Sequence, residues 1–125
     1  MWPVKVMAFV DVFDLDGTLR QRFAQHDQLN SPWGVALAPT GFGEPGGALW
    51  IGNFGNGPIN AFDPESGKFL SKVRDPKGRE LLIDGLWTIT FGSGNPNLGR
   101  ADTLYFTAGP NGETDGLFGS LTPHP

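Results

Sequence analysis

The sequence predicts an all-β protein, organised as a partial β-propeller of about two four-stranded antiparallel blades plus flanking strands. Three observations lead there. Short apolar runs of about four to eight residues recur between Gly, Pro, Asn and Asp clusters. Helical periodicity is scarce. The segments also repeat in the same order at a spacing of about 50 residues, the size of one propeller blade.

The repeat is visible in three pairs of segments. "VFDLDGTL" from Val12 returns as "AFDPESGKFL" from Ala61, "PWGVALAP" from Pro32 as "LWTITFG" from Leu86, and "ALWIGNFGNG" from Ala48 as "TLYFTAGPNG" from Thr103. With the strands of a blade lettered A to D outward from the axis, Trp33–Pro39 is A, Ala48–Phe54 is B, Pro58–Phe62 is C and Phe69–Val73 is D. The next copy places A at Leu86–Phe91, B at Thr103–Thr107 and C at Leu117–Leu121. Val6–Phe13 and Thr18–Phe23 supply C and D of an earlier blade. Residues 1–31 are thus outer strands of a preceding blade, 32–85 a complete blade, and 86–125 an incomplete following blade with a C-terminal tail. "TLYFTAG" and "ALWIGNF" are apolar at successive positions, as expected of strands covered on both faces. "LRQRFAQHDQL" carries no long apolar stripe, so no lasting helix is expected there.

Composition narrows the function classes. The chain has 125 residues, 38% of them apolar, with ten Phe and four Trp, enough for a core. Its 19 Gly and 11 Pro lie between apolar runs, as tight turns require. The net charge is −4 and the nine Lys and Arg are scattered, so nucleic acid is not an expected partner. No apolar run reaches the length of a membrane span. Asp11 interrupts "MWPVKVMAFV" early, so no signal peptide is expected. There is no Cys, which removes disulfides and thiolate chemistry.

"VFDLDGTL" is similar to the opening motif of the haloacid dehalogenase superfamily. That likeness implies Asp14 as nucleophile and Asp16 as acid–base. A central parallel strand should precede such a loop and be apolar throughout, whereas Asp11 lies inside this one. The repeat offers a different role. Asp14 and Gly17 occupy the same place as Asp63 and Gly67, a C–D hairpin turn in which Asp accepts backbone hydrogen bonds and Gly takes positive φ.

Ligand sites in such a fold gather where loops entering A meet loops joining B to C. Asn30 and Asp84 each precede an A-strand Trp by three residues, and Asn53, Asn56 and Asn111 lie at or just after B. Their oxygens are of the type Ca²⁺ takes, but turn capping is the expected role and no cofactor is expected. Trp33, Trp50, Trp87 and Phe91 are expected in the core between blades, with carbohydrate stacking the alternative role for the three tryptophans. His26 and His124 form no triad and no zinc-spaced pair. "GSGNPNLG" lacks the Lys-Ser/Thr ending of a phosphate loop and is expected to join A to B.

"SPWGVALAPTGFG", "GALWIGNFGNGPINAFDPESGKF", "IDGLW" and "DTLYFTAGPNGETDGLFGSLTP" together resemble the closing part of an uncharacterised bacterial propeller family. That family is related to NHL and gluconolactonase-like propellers of the six-bladed type. The resemblance implies an exported parent, periplasmic or extracellular, of which this chain is the last third. It implies no activity for named residues. The expected function is that of a scaffold or binding module for a protein, glycan or small molecule. The alternative is a metal-dependent, lactonase-like hydrolase. Incomplete blades leave unpaired edges, so a homo-oligomer or the missing blades of a longer parent are the expected partners.

Overall fold

Short apolar runs punctuated by turn residues fold into antiparallel meanders. The structure, a computed structural model, describes residues 9–24, 29–42 and 46–123. Among these residues the strands are β1 (Val10–Phe13), β2 (Leu19–Ala24), β3 (Pro32–Leu37), β4 (Leu49–Asn53), β5 (Ile59–Phe62), β6 (Phe69–Lys72), β7 (Leu86–Phe91), β8 (Leu104–Ala108) and β9 (Leu117–Leu121). One helical turn, α1 (Pro110–Glu113), lies between β8 and β9. The sheets are β1-β2, β3-β4-β5-β6 and β7-β8-β9, each strand pairing antiparallel with its chain neighbour. The protein is therefore all-β. His26, Trp2, the N-terminal part of the first expected strand and His124 lie outside the described residues.

The central strands β4 and β5 of the middle sheet are covered on both faces, which explains their continuous apolar runs. Trp50, Ile59 and Ala61 point into a core shared with Leu86, Ile89, Leu104 and Phe106 of the third sheet. Ile51 and Phe62 point the other way, into a core with Leu29 and with Val10 and Val12 of the first sheet. A side-chain period of two sends neighbouring residues to opposite faces, so Trp50 and Ile51 serve different cores. Trp50, Phe42 and Phe91 meet edge to face, with centroids 5.0–5.4 Å apart, the arrangement the ring quadrupoles favour. Trp50 is thus a core residue of the second sheet, and Phe91 of the third is half-buried and packs against that core.

The third sheet is covered on one face only. Leu104, Phe106 and Ala108 are buried while Tyr105 and Thr107, between them, are half-buried. Tyr105 stacks on Phe118 at 5.9 Å, and Phe118 itself is 69% exposed. The apolar look of "TLYFTAG" therefore reflects one buried face and a flat aromatic patch on the other.

Trp33 corrects a second expectation. It is 72% exposed and not in the core. Gly34 turns the opposite face of β3 onto β7 so closely that a Cβ there would stand 2.8 Å from Ile89 N and 2.9 Å from Trp87 O. Alternation then directs Trp33, Val35 and Leu37 outward, where 49% of Val35 and 60% of Leu37 remain exposed.

The two repeated turns match in backbone and differ in side chain. The Asp14 N–H donates to Thr18 O and the Gly17 N–H to Asp14 O, as the Asp63 N–H donates to Lys68 O and the Gly67 N–H to Asp63 O. Gly17 and Gly67 both take positive φ, 90° and 74°. Asp63 Oδ1 accepts from the N–H groups of Glu65 and Ser66 at 2.8 and 3.0 Å. In the shorter first turn the capping carboxylate is that of Asp16, which accepts from Thr18 N–H at 2.9 Å, while Asp14 pairs with Arg20 at 3.4 Å. β1 lies in an antiparallel pair, so Asp14 has none of the central parallel-sheet setting that the dehalogenase-type chemistry uses. No helix among the described residues is long and apolar enough to cross a membrane.

Candidate functional site

Four loops meet at one end of the sheets. Those leading into β3 and β7 bond to those leaving β4 and β8. The N–H groups of Phe54 and Gly55 donate to Ser31 O and Asn30 O at 3.0 and 3.1 Å, and the Gly109 N–H donates to Gly85 O at 2.9 Å. The Ile83 N–H donates to Gly57 O at 2.9 Å, which joins the loops of the second sheet to those of the third. These bonds satisfy the loop backbone internally and fix the side chains it carries.

Between them lies a cleft of about 500 Å³ lined by Trp33, Phe54, Trp87 and Glu113. Trp33 and Trp87 are the second residues of β3 and β7, and Phe54 follows the last residue of β4. Glu113 closes α1, and its Oε1 accepts from Trp87 Nε1–H at 3.3 Å. Gly109 makes room for this arrangement, since a Cβ there would overlap the Trp87 indole.

α1 is not an ordinary right-handed turn. Asn111 (φ 56°, ψ 51°) and Gly112 (φ 64°, ψ 32°) are left-handed, and Glu113 follows at φ 66°. Among the described residues the non-glycine positions with positive φ are Ser31, Asn111 and Glu113. All three lie in the loops around the cleft. L-residues resist this region, and such strain persists only where its surroundings over-determine it. Here the Asn111 N–H donates to Asp84 Oδ2 at 3.0 Å, Asn111 Nδ2 to Asp115 Oδ2 at 2.7 Å, and Thr114 Oγ1 to Asn111 O at 2.7 Å.

The candidate oxygen donors sit at this end but form no cage. Asp84 and Asn111 meet, with the carboxylate engaged by a backbone N–H. Asn30 receives the Gly55 N–H through its carbonyl. Asn53 is wholly buried, and Asn56 is exposed in the turn after β4. Among the described residues no group of three or more His, Asp and Glu side chains is placed to hold a metal ion.

Two lining residues, Phe54 and Glu113, carry no functional signal in the sequence. Phe54 stands between turn residues in "NFGNG", where an aromatic ring has little local burial to gain. Glu113 lies in "GPNGETDG", which has no apolar periodicity and so offers only turn signals. A second cavity of about 450 Å³ opens beside Phe42, Trp50, Leu81 and Leu121 with Asp75 at its edge. The Asp75 carboxylate is taken up by Lys77 N–H, Arg79 N–H and the Arg79 guanidinium, each at 2.9 Å. Arg74 and Thr122 also line that cavity, and the Arg74 guanidinium donates to Gly78 O at 3.2 Å.

Comparison with known proteins finds relatives in a virus. The chain is 38% identical over 113 residues to an uncharacterized protein of Acanthamoeba polyphaga mimivirus, covering 90% of this chain and 29% of the relative. A second uncharacterized protein of the same virus is 35% identical over 90% of this chain and 27% of its own length. A third is 36% identical over 82% of this chain and 18% of its own. The chain therefore spans less than a third of the curated relatives it matches. No family model matches, and no solved structure matches. These relatives overturn the resemblance to an exported bacterial family and its NHL and gluconolactonase-like kin. The segments behind that resemblance are strand ends, Asp-Gly turns and close-contact glycines, which any tight antiparallel meander calls for.

Proposed function

We propose that this chain is a section of a β-propeller, its three sheets being successive blades, and that it serves as a binding module rather than an enzyme. In this reading β3 and β7 are inner strands, and the loops around the cleft belong to the recognition face. The observation that carries the proposal is the cleft itself. Trp33, Phe54, Trp87 and Glu113 come from four separate chain segments, and the non-glycine left-handed residues among the described positions surround them. Strain held by a dedicated hydrogen-bond set, beside an aromatic cleft, is the pattern of a pre-organised site. The lining offers one carboxylate and no second acid–base group, which favours binding over proton-transfer chemistry.

A thermal-shift screen against small organic ions, sugars and short peptides tests this reading. Ligand binding to the folded state raises the melting temperature by mass action. Compounds that stabilise the protein should lose their effect in Trp33→Ala, a substitution at an exposed position. Hits that stabilise wild type and Trp33→Ala equally would place binding elsewhere and defeat the proposal.

A further inference from the structure

We infer that the cleft recognises an organic ammonium ion of the quaternary type, a conclusion that rests on its being a binding site. Trp33, Phe54 and Trp87 line it together with Glu113. Aromatic faces carry negative quadrupole potential and attract cations, most strongly at Trp. Glu113 adds a formal negative charge, steadied by the Trp87 indole N–H. No Lys or Arg belongs to the lining.

Other ligand classes fit this chemistry less well. An anion would meet the Glu113 carboxylate with no Lys or Arg in the lining to answer its charge. A neutral apolar ligand would strip water from the carboxylate and give it no counter-charge. A neutral sugar could stack on the indoles, but the lining gives it one carboxylate where several directed polar partners are usual. A quaternary ammonium ion is weakly hydrated, so it can leave water for the aromatic faces while its charge answers Glu113. The net charge of −4 draws such a cation toward the protein at long range.

The test is titration calorimetry of the whole chain with choline and with its neutral carbon isostere, in which a tert-butyl group replaces the trimethylammonium. A neutral hexose is the third ligand. Choline should bind at least about tenfold more tightly than the isostere. Glu113→Gln should weaken choline about three- to tenfold and leave the isostere unchanged. An unchanged melting temperature in Glu113→Gln shows that the fold is intact, and Trp33→Ala, at an exposed site, should weaken choline independently. A peptide bearing trimethyllysine, run beside choline, distinguishes a modified side chain from a free small ion as the source of the group. Equal binding of the isostere, or binding of the hexose in place of choline, would keep the cleft as a site and overturn its cation class. Failure of all the ligands to bind would overturn both.

Discussion

The Asp84 carboxylate holds the backbone N–H of Asn111 at 3.0 Å, across 27 residues of chain. One side of this bond is the loop before β7 and the other is the left-handed turn that carries Glu113. Asp84 thus governs where the cleft's acid stands, although it is not itself a lining residue. Asp84→Ala should lower stability by about 0.5–1.5 kcal/mol, the scale of one hydrogen bond. It should also change Trp87 emission by freeing Glu113. Asp84→Asn keeps an acceptor oxygen and should restore most of both. Denaturant melts and tryptophan fluorescence check this pair.

Gly34 lets β3 lie against β7. A Cβ at this position would approach Ile89 N and Trp87 O to 2.8 and 2.9 Å, both backbone atoms that cannot swing aside. Gly34→Ala should therefore push the sheets apart and cost about 1–3 kcal/mol, as overpacking does. Thermal melting of the variant measures it. A neutral result would mean that β3 and β7 are not in this contact.

Trp50 is 2% exposed and touches both Phe42 and Phe91. Trp50→Ala should cost about 3–5 kcal/mol. That is a large part of the whole stability expected of a small domain. The equivalent change at exposed Trp33 should cost far less, and the contrast is read from paired urea melts.

Acid should loosen the turns. Hydrogen bonds from the N–H groups of Ser66 and Glu65 hold the Asp63 carboxyl below its ordinary value of 3.8. The N–H of Thr18 does the same for Asp16, and that of Arg79 for Asp75. A depressed folded value means the contribution is complete above the ordinary carboxyl range and is lost as pH falls through the lower folded value. Melting temperature should be level above pH about 5 and fall below pH about 4. Asp63→Asn should flatten part of that slope. An unchanged slope would show that Asp63 contributes nothing to acid stability.

Much of the fold is legible in the sequence because its signals are local. "WGVALAP", "LWTITF" and "GLFGSL" carry strand composition between turn residues, and the repeat orders them into sheets of two, four and three. Contacts between distant segments and small changes of turn length leave no mark in local pattern. The exposure of Trp33 depends on Gly34 pressing β3 onto β7, a contact between segments far apart in the chain. The exchange of the capping role from Asp14 to Asp16 depends on a turn shorter than its repeat by one residue. At the site, Asp84 and Asn111 were legible by position as neighbours at one end. Glu113 was not, because a left-handed turn has no periodicity to betray where its side chains go.

Trp33, Val35 and Leu37 present an apolar face on β3, and apolar area of this kind favours a partner by roughly 25 cal/mol per Å². The protein should self-associate, and Leu37→Lys should weaken that association. Light scattering across a tenfold dilution reports it. A monomer at every concentration, for wild type and variant alike, would show the face to be stable in water.

If the end bearing Trp33 and Trp87 is the recognition face, ligand contact is confined to it. Amide and indole N–H spectra of the labelled protein, recorded as choline is added, test it most directly. Saturable shifts should appear at the indole N–H signals of Trp33 and Trp87 and at the amides of Phe54 and Glu113, with the Trp50 indole unmoved. Shifts centred on Trp50, Asp75 and Leu121, or none at the cleft while another region responds, would contradict it.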